Sequence, residues 1–335
     1  MSNLSLAQQA GQRLMVGFEG IRMNRDLEFL IGSLKVGGII LFSRNLGTPD
    51  DIRNLCCEAQ AYARSAGQPP LLIAIDQEGG QVARLRAPDF TEFPGNPGIK
   101  NREDAERFAR ITAAELQAIG VNMNYAPVLD VTLPDIPGIM ADRSFGSDPH
   151  RAAELGTAVI ETLQRNHILA VAKHFPGIGR TVLDSHMDMP LVRETLAELE
   201  IHDLIPFQAA IRSGVSGVML SHILYEKLDA IWPASLSVPI ARDLLRTRMG
   251  FTGLVMTDDL DMGAITRHFE LDAIIYQVLL SEIDQILICH NRQAMESAYA
   301  QIQQHIQDDS RLSQLSQQSV QRILSVKQHL PVIHP

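Results

Sequence analysis

The sequence is poor in cysteine, in tryptophan and in basic charge. It has three cysteines, Cys56, Cys57 and Cys289. The number is odd and two are sequence neighbours, which argues against a disulfide framework and for a reducing compartment. No Cys-x-x-Cys or Cys/His spacing marks a zinc site. Lys and Arg total 29 against 39 Asp and Glu, a net charge of −10. A nucleic-acid binder needs a basic surface to displace counterions, so no nucleic-acid partner is expected. There is no run of about 18 apolar residues to span a membrane. Residues Met1 to Ala10 lack the basic and apolar regions of a signal peptide. The expectation is a cytoplasmic protein, monomeric and with no membrane partner. No GxGxxG or Walker A phosphate loop occurs, and no Pro/Ser/Gly-rich linker divides the chain.

What the sequence does contain is a regular succession of short apolar runs. Eight stand out: Arg13–Phe18, Gly37–Phe42, Pro70–Ile75, Val121–Val128, Ala170–Ala172, Gly217–Leu220, Gly253–Met256 and Gln285–Ile288. Short runs rich in Val, Ile and Leu read as strands buried on both faces, the pattern of a parallel sheet. Between most of them lie segments of helical period: Asp50–Ala66, Glu103–Ile119, Arg151–Asn166, Glu194–Ser213, Ser237–Met249 and Gln293–Ile306. In Glu103–Ile119, Ala105, Phe108, Ala109, Leu116 and Ile119 share one face, and Gly120 marks the stop. Eight strands alternating with helices in 335 residues predict an α/β fold, a (β/α)8 TIM-type barrel. The whole chain, 1–335, is read as one catalytic domain, closed by a helix over about 311–329. A doubly wound open sheet is the alternative, and it would ordinarily show an early phosphate loop.

In such a barrel, chemistry sits where strands end. Here those ends carry Asp76 and Glu78, Asp130, Lys173 and His174, Ser221 and His222, Asp258 and Asp259, and His290 and Asn291. Asp76-Gln-Glu-Gly-Gly-Gln-Val-Ala-Arg84 places two glycines directly after a strand, where the backbone turns tightly or approaches a ligand. An ordinary solvated turn is the competing reading. Asp76 has the chemistry to accept paired sugar hydroxyls, and Arg84 to face the same cavity. Lys173 to His186 forms a Gly/Pro-containing loop of a length usually reserved for function. Within it Asp184 and His186 are spaced for the carboxylate to fix the imidazole's tautomer. In Thr257-Asp-Asp-Leu260, two adjacent carboxylates cannot both be cheaply buried and ionised. Asp258 is read as a nucleophile and Asp259 as a cap of the following turn. Met187, Met189, Met256 and Met262 are read as packing. Trp232, the sole tryptophan, is read either as packing or as a sugar-stacking ring.

At these residues the sequence resembles glycoside hydrolase family 3, in its single-domain β-N-acetylhexosaminidase branch. The segments that carry the resemblance are Gly37-Gly-Ile-Ile-Leu-Phe42, Asp76-Gln-Glu-Gly-Gly80, Ala141-Asp-Arg-Ser-Phe-Gly146, Lys173-His-Phe-Pro-Gly177, Asp184-Ser-His186 and Thr257-Asp-Asp-Leu260. The resemblance runs from about Leu14 to Asn291. It implies a barrel without the second sandwich domain of many members. It also implies Asp258 as nucleophile, His186 as general acid/base and Asp184 as its orienting partner. Asp76, Arg84, Arg143, Lys173 and His174 would hold an N-acetylglucosamine residue, with no metal or organic cofactor. The implied activity is a retaining glycosidase acting through a glycosyl-aspartate, in cell-wall (muropeptide) recycling. The family's second loop histidine is Ile178 here, Arg180 stands where many members carry a small or acidic residue, and Gln81 replaces a frequent arginine. Leu280-Ser-Glu-Ile-Asp284 replaces a small-residue stretch, which implies altered helix–strand packing. Three other readings stay open: a metal-dependent hydrolase built on His174, His186, His222, His290 and Asp258; a noncatalytic sugar-binding barrel; and a phosphorolytic variant.

Overall fold

All eight apolar runs become strands of one closed sheet. The computed structural model of the chain describes residues 4–133, 138–181 and 189–330. The barrel strands are β1 (Leu14–Val16), β2 (Gly38–Leu41), β3 (Leu72–Ile75), β4 (Met123–Asn124), β5 (Leu169–Phe175), β6 (Gly217–Leu220), β7 (Leu254–Asp259) and β8 (Gln285–Ile288). Each pairs in parallel with its sequence neighbour, and β8 closes the ring on β1 through Leu14↔Ile286 and Val16↔Ile288. No open sheet edge remains in the barrel.

Side-chain alternation along the strands divides the core in two. Met15, Ile40, Leu72, Ala74, Met123, Tyr125, Met219, Met256 and Leu287 fill the barrel interior. Leu14, Val16, Ile39, Leu41, Ile73, Ile75 and Val218 face outward against the helices. This two-sided burial is why the runs read as continuously apolar.

Helix boundaries follow local capping. Thr48 and Asp51 form a capping box with Pro49 at the first helical position, opening Pro49–Ser65. Asn101, Asp148, Asn291 and Asp309 cap Arg102–Ala118, Pro149–Arg165, Arg292–Asp308 and Ser310–Lys327. Four differences from the sequence reading have physical causes. The segment expected as one helix over Glu194–Ser213 is two, Leu196–Glu200 and Leu204–Arg212. Pro206 lacks an N–H and fits only a first turn, so a new helix must start just before it. Pro239–Arg248 is wound as a π-helix, and beyond it Met249 N–H keeps the same five-residue span to the Leu244 carbonyl. Leu271–Leu280 is a helix the sequence does not announce, because only Asp272 and Gln277 break its apolar run. The run Val121–Val128 yields only two ladder residues plus a bridge from Val128 to Lys173, because Pro127 has no donor to give. Asn122 and Asn124 knit the gap. Asn122 accepts from Ile73 N–H and donates to Leu71 C=O, and Asn124 does the same with Gln77.

The pole away from the strand C-termini is ionic. Asp284 is wholly buried and accepts from Arg246, Arg322 and the Val255 N–H. Arg13, also wholly buried, donates to the Ile283 carbonyl. The unusual Leu280–Asp284 segment thus supplies one carboxylate to neighbouring arginines. It reaches that position through Glu282 in the left-handed region, at φ 58°. Asp284→Ala is expected to destabilise the fold by about 3–5 kcal/mol, because it leaves buried guanidinium groups without a counter-charge. Differential scanning calorimetry should show melting some 5–10 °C lower; an unchanged melting temperature would refute this account of the pole.

Candidate active site

The C-terminal ends of the strands open into a cavity of about 550 Å³. Six of the eight residues expected to catalyse or bind line it together: Asp76, Arg84, Arg143, Lys173, His174 and Asp258. Asp184 and His186, with Met187, lie outside the described residues. The cavity therefore joins residues 182 positions apart in the chain, from Asp76 to Asp258, which only barrel closure can do.

One wall is an ion network. Lys173, 3 % exposed, projects from β5 between two carboxylates, with Nζ 2.8 Å from Asp76 Oδ1 and 2.7 Å from Glu78 Oε1. Arg143 donates to both Glu78 oxygens, Nε to Oε2 at 3.0 Å and Nη2 to Oε1 at 2.7 Å. Arg84 Nη2 donates to Asp76 Oδ2 at 3.2 Å. Burial alone would push the Asp76 carboxyl up, but Lys173 and Arg84 reverse that and hold it at about 2. Burial likewise works against the Lys173 ammonium, and Asp76 and Glu78 raise its pKa above the ordinary lysine value. Glu78 stands behind the lining as the bidentate anchor of Arg143. The sequence reading had it only as a polar strand end, because its partners lie 65 and 95 positions away.

Two glycines give this wall its shape. Gly79 and Gly80 have φ of 86° and 61°, and a Cβ on Gly80 would meet the Pro94 carbonyl at 2.9 Å. They turn the chain between the paired segments Gln77–Gly79 and Val82–Ala83. That hairpin brings Arg84 back over Asp76, so the tight-turn reading of the glycine pair holds.

The opposite side belongs to β7, which runs further than expected, so Asp258 and Asp259 lie on the strand itself. The Asp258 carboxylate is buried, which raises its pKa. His222, His174 and Lys173 outweigh this and keep it below the usual carboxylate range. Asp259 differs. Burial, then Asp261 and Asp258, push it up to about 7. Its Oδ1 accepts from the N–H groups of Asp261 and Cys289, so it caps the following turn as its position implied. Asp261 Oδ2 takes the N–H groups of Cys289, His290 and Asn291, tying the β7 and β8 loops together.

Among the described residues, the rim histidines each have a partner. His174 Nδ1 lies 2.7 Å from Asp130 Oδ2, a buried carboxylate that also accepts the Ile178 N–H at 2.8 Å. His222 contacts Ser235 Oγ through Nδ1 and the Asp259 carbonyl through Nε2. His290 Nδ1 meets Arg44. Among the described residues no group of three His, Cys, Asp or Glu side chains comes together in a way that could hold a metal ion.

The departures from the family pattern have distinct places. Ile178 lines the cavity as an apolar residue, 5 % exposed. Arg180 turns away from it and pairs with buried Asp203, Nε to Oδ2 at 2.9 Å. Gln81 donates to Asp142 at 2.8 Å. Trp232 stacks on Phe269, with centroids 4.8 Å apart, outside the residues lining this cavity. Met256 packs in the barrel interior and Met262 lines the cavity. The described helices include none long and apolar enough to cross a membrane.

Comparison with known proteins agrees with this geometry. The glycosyl hydrolase family 3 N-terminal domain matches residues 5–326. A β-hexosaminidase of Nitrosospira multiformis is 34 % identical over 298 residues, covering 86 % of this chain and 83 % of its own. One from Pseudomonas aeruginosa is 33 % identical over 294 residues, covering 87 % and 86 %. The solved family 3 β-N-acetylglucosaminidase of Paenibacillus sp. FPU-7 superposes with a TM-score of 0.92 at 36 % identity; it covers 97 % of this chain, which spans only 62 % of that structure. The β-N-acetylhexosaminidase of Beutenbergia cavernae superposes at 0.90 with 28 % identity, covering 98 % of this chain and 100 % of its own. A closed parallel barrel, a rim of paired charges around one cavity and a match running through nearly every element lead to one conclusion: the chain belongs to glycosyl hydrolase family 3 and is a hydrolase of glycosidic bonds.

Proposed function

We propose that the protein is a retaining β-N-acetylhexosaminidase that releases terminal β-linked N-acetylglucosamine through a covalent glycosyl–Asp258 ester. The observation that carries this reading is the pairing in one cavity of a buried carboxylate held ionised, Asp258, with a wall of charge-assisted donors and acceptors. The relatives' names supply the sugar. In the first step an Asp258 oxygen attacks the anomeric carbon, the bond to the aglycone oxygen breaks, and that oxygen takes a proton from His186. In the second, His186 removes a proton from water, whose oxygen displaces Asp258 and frees the sugar with its configuration retained. Asp184 orients the imidazole in this scheme. An imidazole acid leaves the nucleophile without a second carboxylate to repel it.

Asp76, Arg84, Arg143, Lys173 and His174 are the binding groups of this reading. Lys173, Arg84 and Arg143 are held in ion pairs by Asp76 and Glu78, so they present hydrogen-bond donors of fixed direction to sugar hydroxyls. The aglycone is placed in cell-wall recycling, as a muropeptide-derived glycan, on the family resemblance.

Asp258→Asn is expected to lower kcat for a chromogenic N-acetyl-β-glucosaminide by about 10⁴-fold or more. Turnover within tenfold of wild type would remove Asp258 as nucleophile. Proton NMR of the first-formed product should show the β anomer, and an α product would exclude the double displacement.

Burial and the neighbouring Asp261 and Asp258 push Asp259 up to about 7, so below neutrality Asp258 carries the charge of this aspartate pair. The folded chain thus binds a proton between 3.8 and about 7 that the unfolded chain has lost. The associated stability is full below the lower value and is lost as pH rises through the upper one. Asp259→Asn removes this loss. Its melting temperature relative to wild type should rise between pH 5.5 and pH 8; a constant difference across that window would contradict the assignment.

A further inference from the structure

The floor of the cavity holds a polar group with no function in the scheme above. Tyr125 directly follows β4 and lines the floor with Ile40, Met219, Leu287 and Cys289. The residue is 1 % exposed, and its hydroxyl is buried without a hydrogen-bond partner. The interior cluster it belongs to includes Met15, Met123, Met219, Met256 and Cys289.

An unpartnered buried hydroxyl costs about 1–3 kcal/mol. Asp76, Asp258 and Asp259 are the carboxylates that act on it, and none of them makes a hydrogen bond to it. Burial and the neighbouring thiol and carboxylates keep the phenol protonated, its pKa well above the usual tyrosine value. The group is therefore a neutral O–H, able both to donate and to accept, set at the closed end of a cavity whose wall presents Asp76 and Lys173. A phenylalanine would fill the same space without the cost. Polar groups retained in this way discriminate for a ligand that satisfies them.

We propose that Tyr125 is a specificity-determining residue whose hydroxyl bonds the sugar hydroxyl seated deepest in the cavity, beside Asp76. This inference rests on the glycosidase reading of Asp258 and adds a floor contact to it. A contact of this kind selects which hydroxyls the terminal sugar carries and leaves the aglycone free.

The test compares wild type with Tyr125→Phe on 4-nitrophenyl N-acetyl-β-glucosaminide and on its 3-deoxy, 4-deoxy and 6-deoxy forms. The expected result is a fall in kcat/KM of about tenfold on the parent sugar. On one deoxy form the two enzymes should agree within about twofold, because the lost hydroxyl has no partner left to miss. The melting temperature of the variant should match or exceed that of wild type, since an unpartnered polar atom has been removed. Unchanged kcat/KM on the parent overturns the proposal. So does an equal fall on all four substrates, which would place the effect on Asp258 or on the fold. A lower melting temperature also overturns it, by showing that the hydroxyl is bonded within the protein. If wild type turns over none of the four, the glycosidase reading of this sugar fails first and takes the floor contact with it. Wild-type turnover with an unaffected variant rejects the floor contact alone.

Discussion

A single buried ammonium organises the catalytic face. Lys173 is almost wholly removed from water, a position in which a lysine is stable as a cation only with close counter-charges. Asp76 and Glu78 supply them from the same hairpin. Once they do, each has oxygens left over, and Arg84 and Arg143 complete the set. The strand end of β3, the hairpin after it, the loop holding Arg143 and the tip of β5 are thereby fixed to one another by charge pairs. Removing any one carboxylate would leave a cation uncompensated in a poorly solvated place, so the network behaves as a unit.

The same electrostatics divides the two sides of the cavity. On the β3–β5 side, three cations paired with two carboxylates present donors and acceptors of fixed direction. On the β7 side, two successive aspartates are treated oppositely. Asp258 is near His222, His174 and Lys173 and stays ionised. Asp259 faces Asp261 and Asp258 and holds its proton to near neutrality. Two adjacent carboxyl groups with separated titrations are a physical sign of divided roles. Here one is suited to attack carbon, and the other to hold the β7 and β8 loops together through backbone N–H groups.

Much of the barrel was legible in the sequence because parallel strands covered on both faces leave continuous apolar runs. The eight runs mark the eight strands, and the residues at their ends mark the rim. The misses have separate physical causes. Leu271–Leu280 has only Asp272 and Gln277 to break its apolar run, so its period is faint in the sequence. β4 is short because Pro127 cannot donate, and two asparagine side chains take over the pairing. Asp258 and Asp259 were placed after their strand, yet they belong to it, because polar residues at a barrel mouth can stay in the ladder while their side chains face the cavity.

The sequence by itself determined the number and order of strands and which side chains crowd the rim, since these follow from spacing along the chain, and its motifs carried the family resemblance. The tertiary structure alone decided their partners. Nothing local says that Glu78 holds Arg143 and Lys173, that Asp130 holds His174, that Arg180 leaves the cavity for Asp203, or that Asp284 gathers arginines at the far pole. These pairs join residues up to 95 positions apart. Charge pairing depends on distance and burial, and in a barrel both are set only when the last strand closes on the first.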